Sequence, residues 1–229
     1  MPTHEGTPLS WAYNASSDSI NYTVSGSDRY LLAFIFAVQG DADPTSISYG
    51  GVSLGSPLWT GIINGTVSIQ IKAYGLKAPA TGTNVFALAT ATSKLWRVSV
   101  SSYNGVHQTT PTRTVTTQSN SDANLSPSFA VSNSQSSDLV VGQLIAYSGT
   151  VSLGSGQTVI LNQRNDFGGS VTNVVSYKTP SGSTNFDYTI EGGGYGAFGA
   201  VPLIAAAGEL PPDDVISPYL HYAQMRQRH

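Results

Sequence analysis

The chain has 229 residues and no cysteine, which removes disulfides and thiolate metal sites, and its net charge of −3 arises from ten scattered cations and thirteen acids. Nucleic-acid binding needs clustered Lys and Arg, so no nucleic-acid partner is expected. Only 10% of the residues are charged, against about 25% in an ordinary soluble domain, and Ser, Thr, Asn and Gly fill the difference. A neighbour can cover such a surface without stranding unpaired charge, which is costly to desolvate. The composition fits a protein held inside an assembly, and equally an extracellular β domain with a quiet surface.

The N-terminus, MPTHEGTPLSWAY, lacks the basic and apolar regions of a secretory leader. Residues 1–18 read as an irregular lead-in to the first strand, SINYTV at Ser19–Val24, where Ile20, Tyr22 and Val24 alternate with polar neighbours. Asp28–Val38, DRYLLAFIFAV, is an almost unbroken apolar run closed by Gly-Asp-Ala-Asp-Pro. Its length and its aromatic and branched content predict a strand buried on both faces, in the middle of a sandwich. Asp41 and Asp43 in the closing turn could offer carboxylates to a Ca²⁺ ion, but Asx turn-making is their ordinary role and no cofactor is expected. Ile47–Leu54, with Gly50-Gly51 at its centre, predicts a tight hairpin.

Val67–Tyr74, VSIQIKAY, places Val67, Ile69, Ile71 and Ala73 on one face and Ser68, Gln70, Lys72 and Tyr74 on the other. A Pro-Gly turn leads to NVFALATA, and Leu95–Tyr103 follows as a further strand. The Thr-, Ser- and Asn-rich stretch from Thr109 to Ser137 is expected to hold short edge strands near Arg113–Thr117 and Ser128–Ser132. Asp138–Tyr147, DLVVGQLIAY, then repeats the apolar character of the first central strand. Val171–Tyr177, a Pro-Gly turn, FDYTIEGG and Tyr195–Ala205 repeat the order of the first half, with Tyr177 set against Tyr74. Two readings fit: duplication into two related halves, or hairpins that share only turn chemistry. Ala197–Ala207 contains Gly199 and Pro202 and is too short to span a bilayer, so no membrane is expected.

Beyond Gly208 the composition changes. Glu209-Leu-Pro-Pro-Asp-Asp cannot sit inside a sheet, and Ser217-Pro218 reads as an N-cap followed by proline at the first helical position. The expectation is an extended arm, residues 208–229, ending in a short helix that needs a surface to dock on. Tyr219, Leu220, Tyr222, Met225 and Arg226 are its candidate docking residues.

Signals for catalysis are weak. Three of the four histidines (His4, His107, His221, His229) lie near the termini, and no HExxH or phosphate loop is present. Asp166, Asp187 and Glu191 could act as a carboxylate pair only if the fold brought them together. Trp11, Trp59, Tyr49, Tyr74, Tyr177 and Tyr195 could stack on sugar rings, although core and edge packing is the commoner role of such residues. Trp59 and Tyr195 are the candidate glycan-stacking residues, and Gly192-Gly193-Gly194 before Tyr195 reads as a binding loop or a wide turn.

The succession RYLLAFIFAV, SISYGGVSL, IQIKAYGLKAPATGTNVFAL and VSVSSYNGVHQTTPTRT resembles a jelly-roll β-sandwich module of phage virion proteins (capsid-, tail- and fibre-associated) and bacterial surface proteins. Its most specific piece is Ser102–Pro111, similar to the module's S-[FY]-x-G-V-[DH]-Q-[TS]-T-P segment, with His107 where Asp is common. The likeness spans residues 19–207 and brings no catalytic residues. It implies an all-β, jelly-roll-like antiparallel sandwich with a C-terminal arm of this chain's own. The function implied is a non-enzymatic virion component, released by host lysis and attached through terminal arms to other virion proteins, as a homo-oligomer within an assembly. The alternative is a carbohydrate-binding or adhesion module for host-surface or environmental glycan.

Overall fold

In a computed structural model the chain is all-β, with antiparallel sheets throughout. It describes residues 1–38, 44–63, 69–120, 126–147, 149–166, 170–192 and 196–206. The docking arm with Tyr219, Leu220, Tyr222, Met225 and Arg226, the pair Asp41 and Asp43, and Tyr195 all lie outside these residues.

The central apolar run forms β2 (Tyr30–Val38), flanked by β6 (Ile69–Lys77) and β7 (Gly82–Asn104). Side chains alternate across a strand with period two, and both faces of β2 are covered. Leu31, Ala33, Ile35 and Ala37 enter one core, while Leu32, Phe34 and Phe36 enter another. The second apolar run, β10 (Leu139–Tyr147), behaves likewise. Its Leu139, Val141 and Ile145 meet the residues of β2 in a shared core, and Val140, Leu144 and Ala146 face a third.

Three cores separate four sheet layers. β1 (Thr3–Val24) and β7 form a long antiparallel ribbon that belongs to two of them. The first part of β7 pairs with β3 (Pro44–Tyr49), itself paired to β4 (Val52–Ser53), to make an outer layer. Its later part pairs with β2, which continues through β6 to β5 (Trp59–Ile63). Phe86 and Leu88 from the one part and Trp96, Val98 and Val100 from the other close on the same core. Where the ribbon crosses between layers, Thr90 Oγ1 donates to Thr92 O at 2.8 Å, and the pairing with β1 slips between Ala15 and Ser17.

The third layer runs β12 (Thr158–Asp166), β13 (Ser170–Lys178), β10, β15 (Gly196–Leu203), β8 (Thr116–Asn120). The fourth runs β11 (Val151–Leu153), β14 (Thr184–Ile190), β9 (Ser128–Val131). Among the described residues this order repeats that of the first half, β4 apart. β5-β6-β2-β7-β1 matches β12-β13-β10-β15-β8, and β3-β7-β1 matches β11-β14-β9. The two halves therefore share one topology, packed back to back across the β2 and β10 sheets.

Several expectations need correction. The expected irregular lead-in, residues 1–18, is from Thr3 onward part of a 22-residue strand. NVFALATA and Leu95–Tyr103 are one strand of 23 residues. Thr112 and Arg113 run beside the end of β15, and the edge strand expected there starts at Thr116. Tyr74 and Tyr177 are not equivalent: Tyr74 faces the first half's own core and Tyr177 faces the shared one. A slip of one residue moves a side chain to the opposite face. The predicted hairpin is present, with Gly50 and Gly51 at φ 57° and 78° between the paired Tyr49 and Val52, the left-handed geometry of a two-residue turn.

Candidate functional site

The segment Ser102–Pro111 joins the halves. Gly105 N and Val106 N donate to the carbonyls of Ser27 and Asp28, and Gln108 Nε2 donates to Val106 O at 2.7 Å and Arg29 O at 3.2 Å. On the other side His107 N donates to Ile204 O, and Ala206 N donates to Gly105 O. The Thr110 amide donates to His107 Nδ1 at 3.0 Å. His107 thus closes this turn as an Asx carboxylate or amide oxygen would. Arg113, two residues beyond Pro111, grips the buried Asp138 through Nε at 2.6 Å and Nη2 at 3.1 Å. Asp138 also accepts from the Gln135 amide, and the hydrogen bond from Arg113 to Asp138 raises the arginine's pKa. These groups hold the junction together.

Polar groups also lie inside the shared core. Gln143 Nε2 donates to Asn173 Oδ1 and Asn173 Nδ2 to Ser99 Oγ, both at 3.0 Å, and all three residues are buried. Tyr103 is fully buried with its hydroxyl 2.9 Å from Ser101 Oγ, and burial pushes its pKa up. His4 stands at the rim of this core, stacked on Tyr177 (centroids 6.1 Å apart, 27° between planes) and edge-on to Tyr103 (5.5 Å). Its Nε2 is buried with no hydrogen-bond partner. Burial holds its pKa below the ordinary value, with Glu5 acting in the opposite sense.

Trp59 is 6% exposed, and its ring fills the space over Gly199 of β15, where a Cβ would stand 2.3 Å from it. It is a core residue with no free face for a sugar ring, which corrects the expectation for it. Tyr49 and Tyr74 are buried as well. The described carboxylates of Asp187 and Glu191 hold separate partners. Asp187 accepts from Ser128 Oγ at 2.6 Å on the outer face of β14, and Glu191 accepts from Thr150 Oγ1 at 2.5 Å beyond the end of that strand. Asp166 ends β12 in a different layer. Among the described residues no group of three or more His, Asp or Glu could hold a metal ion.

A cleft of 230 Å³ opens in the first half between β3, the β4–β5 connection and β6. Thr45, Ser46 and Ser53 line it with hydroxyls, Pro44, Pro57 and Ile47 with apolar surface, and Lys72 and Tyr74 from β6. Lys72 is 6% exposed, an unusual burial for a lysine. Comparison with family models, curated proteins and solved structures finds no match. The site is therefore defined by its own geometry. Alternation in VSIQIKAY put Lys72 on a polar face, but the outer layer that covers that face comes from strands distant in sequence.

Proposed function

We propose that this chain is a non-enzymatic structural component of a phage virion, a rigid β body joined to neighbouring virion proteins through residues 208–229. The observation that carries this reading is the character of the two outermost sheet faces. On one, Ser19, Asn21 and Thr23 pair with Ala87, Val85 and Thr83. On the other, Ala130 and Ser128 pair with Asn185 and Asp187, and Ser152 pairs with Thr189. Asp187, already bonded to Ser128, is the one charge among these twelve residues. Small uncharged side chains on a stiff sheet can be covered without a large desolvation cost. The virion setting rests on the resemblance of Ser102–Pro111 and the strands around it.

Truncation after Ala206 tests the proposal. The shortened protein should keep its β circular dichroism and its melting temperature, yet fail to join particles as judged by mass spectrometry of purified virions. Full incorporation of the truncated chain would overturn the assigned attachment.

A further inference from the structure

The duplicated halves allow each position to be compared with its sister. Tyr30 opens β2 opposite Tyr103, and Leu139 opens β10 opposite Leu203. Carried along the strands, this alignment sets Ile35, paired with Lys72 and Val98, against Leu144, paired with Val174 and Phe198. Val174 and Phe198 lie in the apolar core of the second half, as Val98 does in that of the first. The architecture thus accepts valine where the first half carries a buried lysine. Desolvating an ammonium is costly, so the folding of this layer does not by itself call for Lys72.

The cleft supplies a reason for it. Its hydroxyls (Thr45, Ser46, Ser53) suit a polyhydroxylated ligand, its proline and isoleucine surfaces suit the C–H face of a sugar ring, and Lys72 is the one charged residue among its described lining. Its 230 Å³ lies below the roughly 300 Å³ at which drug-sized pockets begin, room for a single ring. We propose that this cleft binds one acidic monosaccharide unit, a uronate, with Lys72 donating to its carboxylate. Lys72 has an interaction of its own within the protein. An ammonium carries three donors, so the ligand adds to that interaction and does not depend on its absence. Binding of this kind is separate from attachment through the C-terminal segment, and either can fail without the other.

Calorimetric or NMR titration of the full chain with D-glucuronate and D-galacturonate tests the proposal, with D-glucose as the neutral comparator. The expected result is saturable millimolar binding of a uronate and weaker binding of glucose. Lys72→Val, which installs the sister residue, should weaken uronate binding at least about tenfold, as expected for loss of a charge-assisted bond. Thr45→Phe, at an exposed position on the cleft wall, should block binding by bulk, and Lys178→Met on β13 should leave it unchanged. The proposal is overturned if no uronate binds saturably, if glucose binds as well as the uronates, or if Lys72→Val binds like the parent. A fall in melting temperature in Lys72→Val with binding retained in Thr45→Phe would make Lys72 a structural residue and equally overturn it.

Discussion

At the scale of single residues, His4 gives the body a pH dependence whose direction is fixed by its surroundings. In the unfolded chain the imidazole titrates near 6.5; in the folded one burial against Tyr103 and Tyr177 holds it lower, with only the Glu5 carboxylate favouring the proton. Between those two values the unfolded state binds more protons, so stability falls as pH drops. The contribution of neutral His4 is complete above pH 6.5 and is lost on acidification towards the folded pKa. His4→Phe keeps the ring and removes the titration. Thermal melts of the two proteins from pH 7.5 down to about pH 5 should diverge below neutrality, with the parent falling more steeply. Parallel curves would show that His4 stays protonatable in the fold. The sequence displayed this histidine without its meaning, because its aromatic neighbours are about 100 and 170 residues away along the chain.

Strands show where local pattern suffices and where it fails. β2 and β10 were legible because a strand covered on both faces must be apolar at nearly every position, whatever covers it. The start of β1 was not, since irregular pairing between Glu5 and Leu9 and between Ala15 and Ser17 resets the alternation that pattern reading relies on. β5, β11 and β12 are short or polar edge elements with little hydrophobic signal of their own. The cleft stayed hidden for a related reason: a polar face of β6 looks solvated until a distant hairpin is laid over it. Contact between β5 and β15 is the most demanding case, since it needs a residue with no side chain at Gly199 to seat Trp59. Gly199→Ala should cost about 1–3 kcal/mol through overpacking. Trp59→Phe creates space, and the double variant should lose less than the sum of the single losses in denaturant titrations. Strict additivity would place the two residues out of contact.

Across the whole molecule, one shared core makes the two halves interdependent. Leu32, Phe34, Phe36, Ile69 and Ile71 from the first half pack with Val141, Ile145, Val171, Val175 and Val201 from the second. The intact chain should therefore unfold in one cooperative transition, with equal calorimetric and van't Hoff enthalpies. A fragment of residues 1–108 would expose an apolar sheet face and should self-associate or precipitate, as read by light scattering after size exclusion; a monomeric, soluble fragment would contradict the shared-core account. The repeated strand order was open to sequence reading, but the choice between duplication and shared turn chemistry required the pairing itself. Identities between the halves are few because only the inward parity of each position is common to both. Phe86 and Phe186 keep that parity, whereas the cleft position has diverged to Lys72 and Val174.

Gly105 has a consequence for how such a body can be built into larger proteins. Its carbonyl accepts the amide of Ala206, and a Cβ added to it would lie 3.4 Å from the carbonyl oxygen of Met1. Entry and exit thus share a doorway. A chain that enters and leaves at one point can be spliced into a surface loop of a host protein with little strain, in the way inserted domains are generally tolerated.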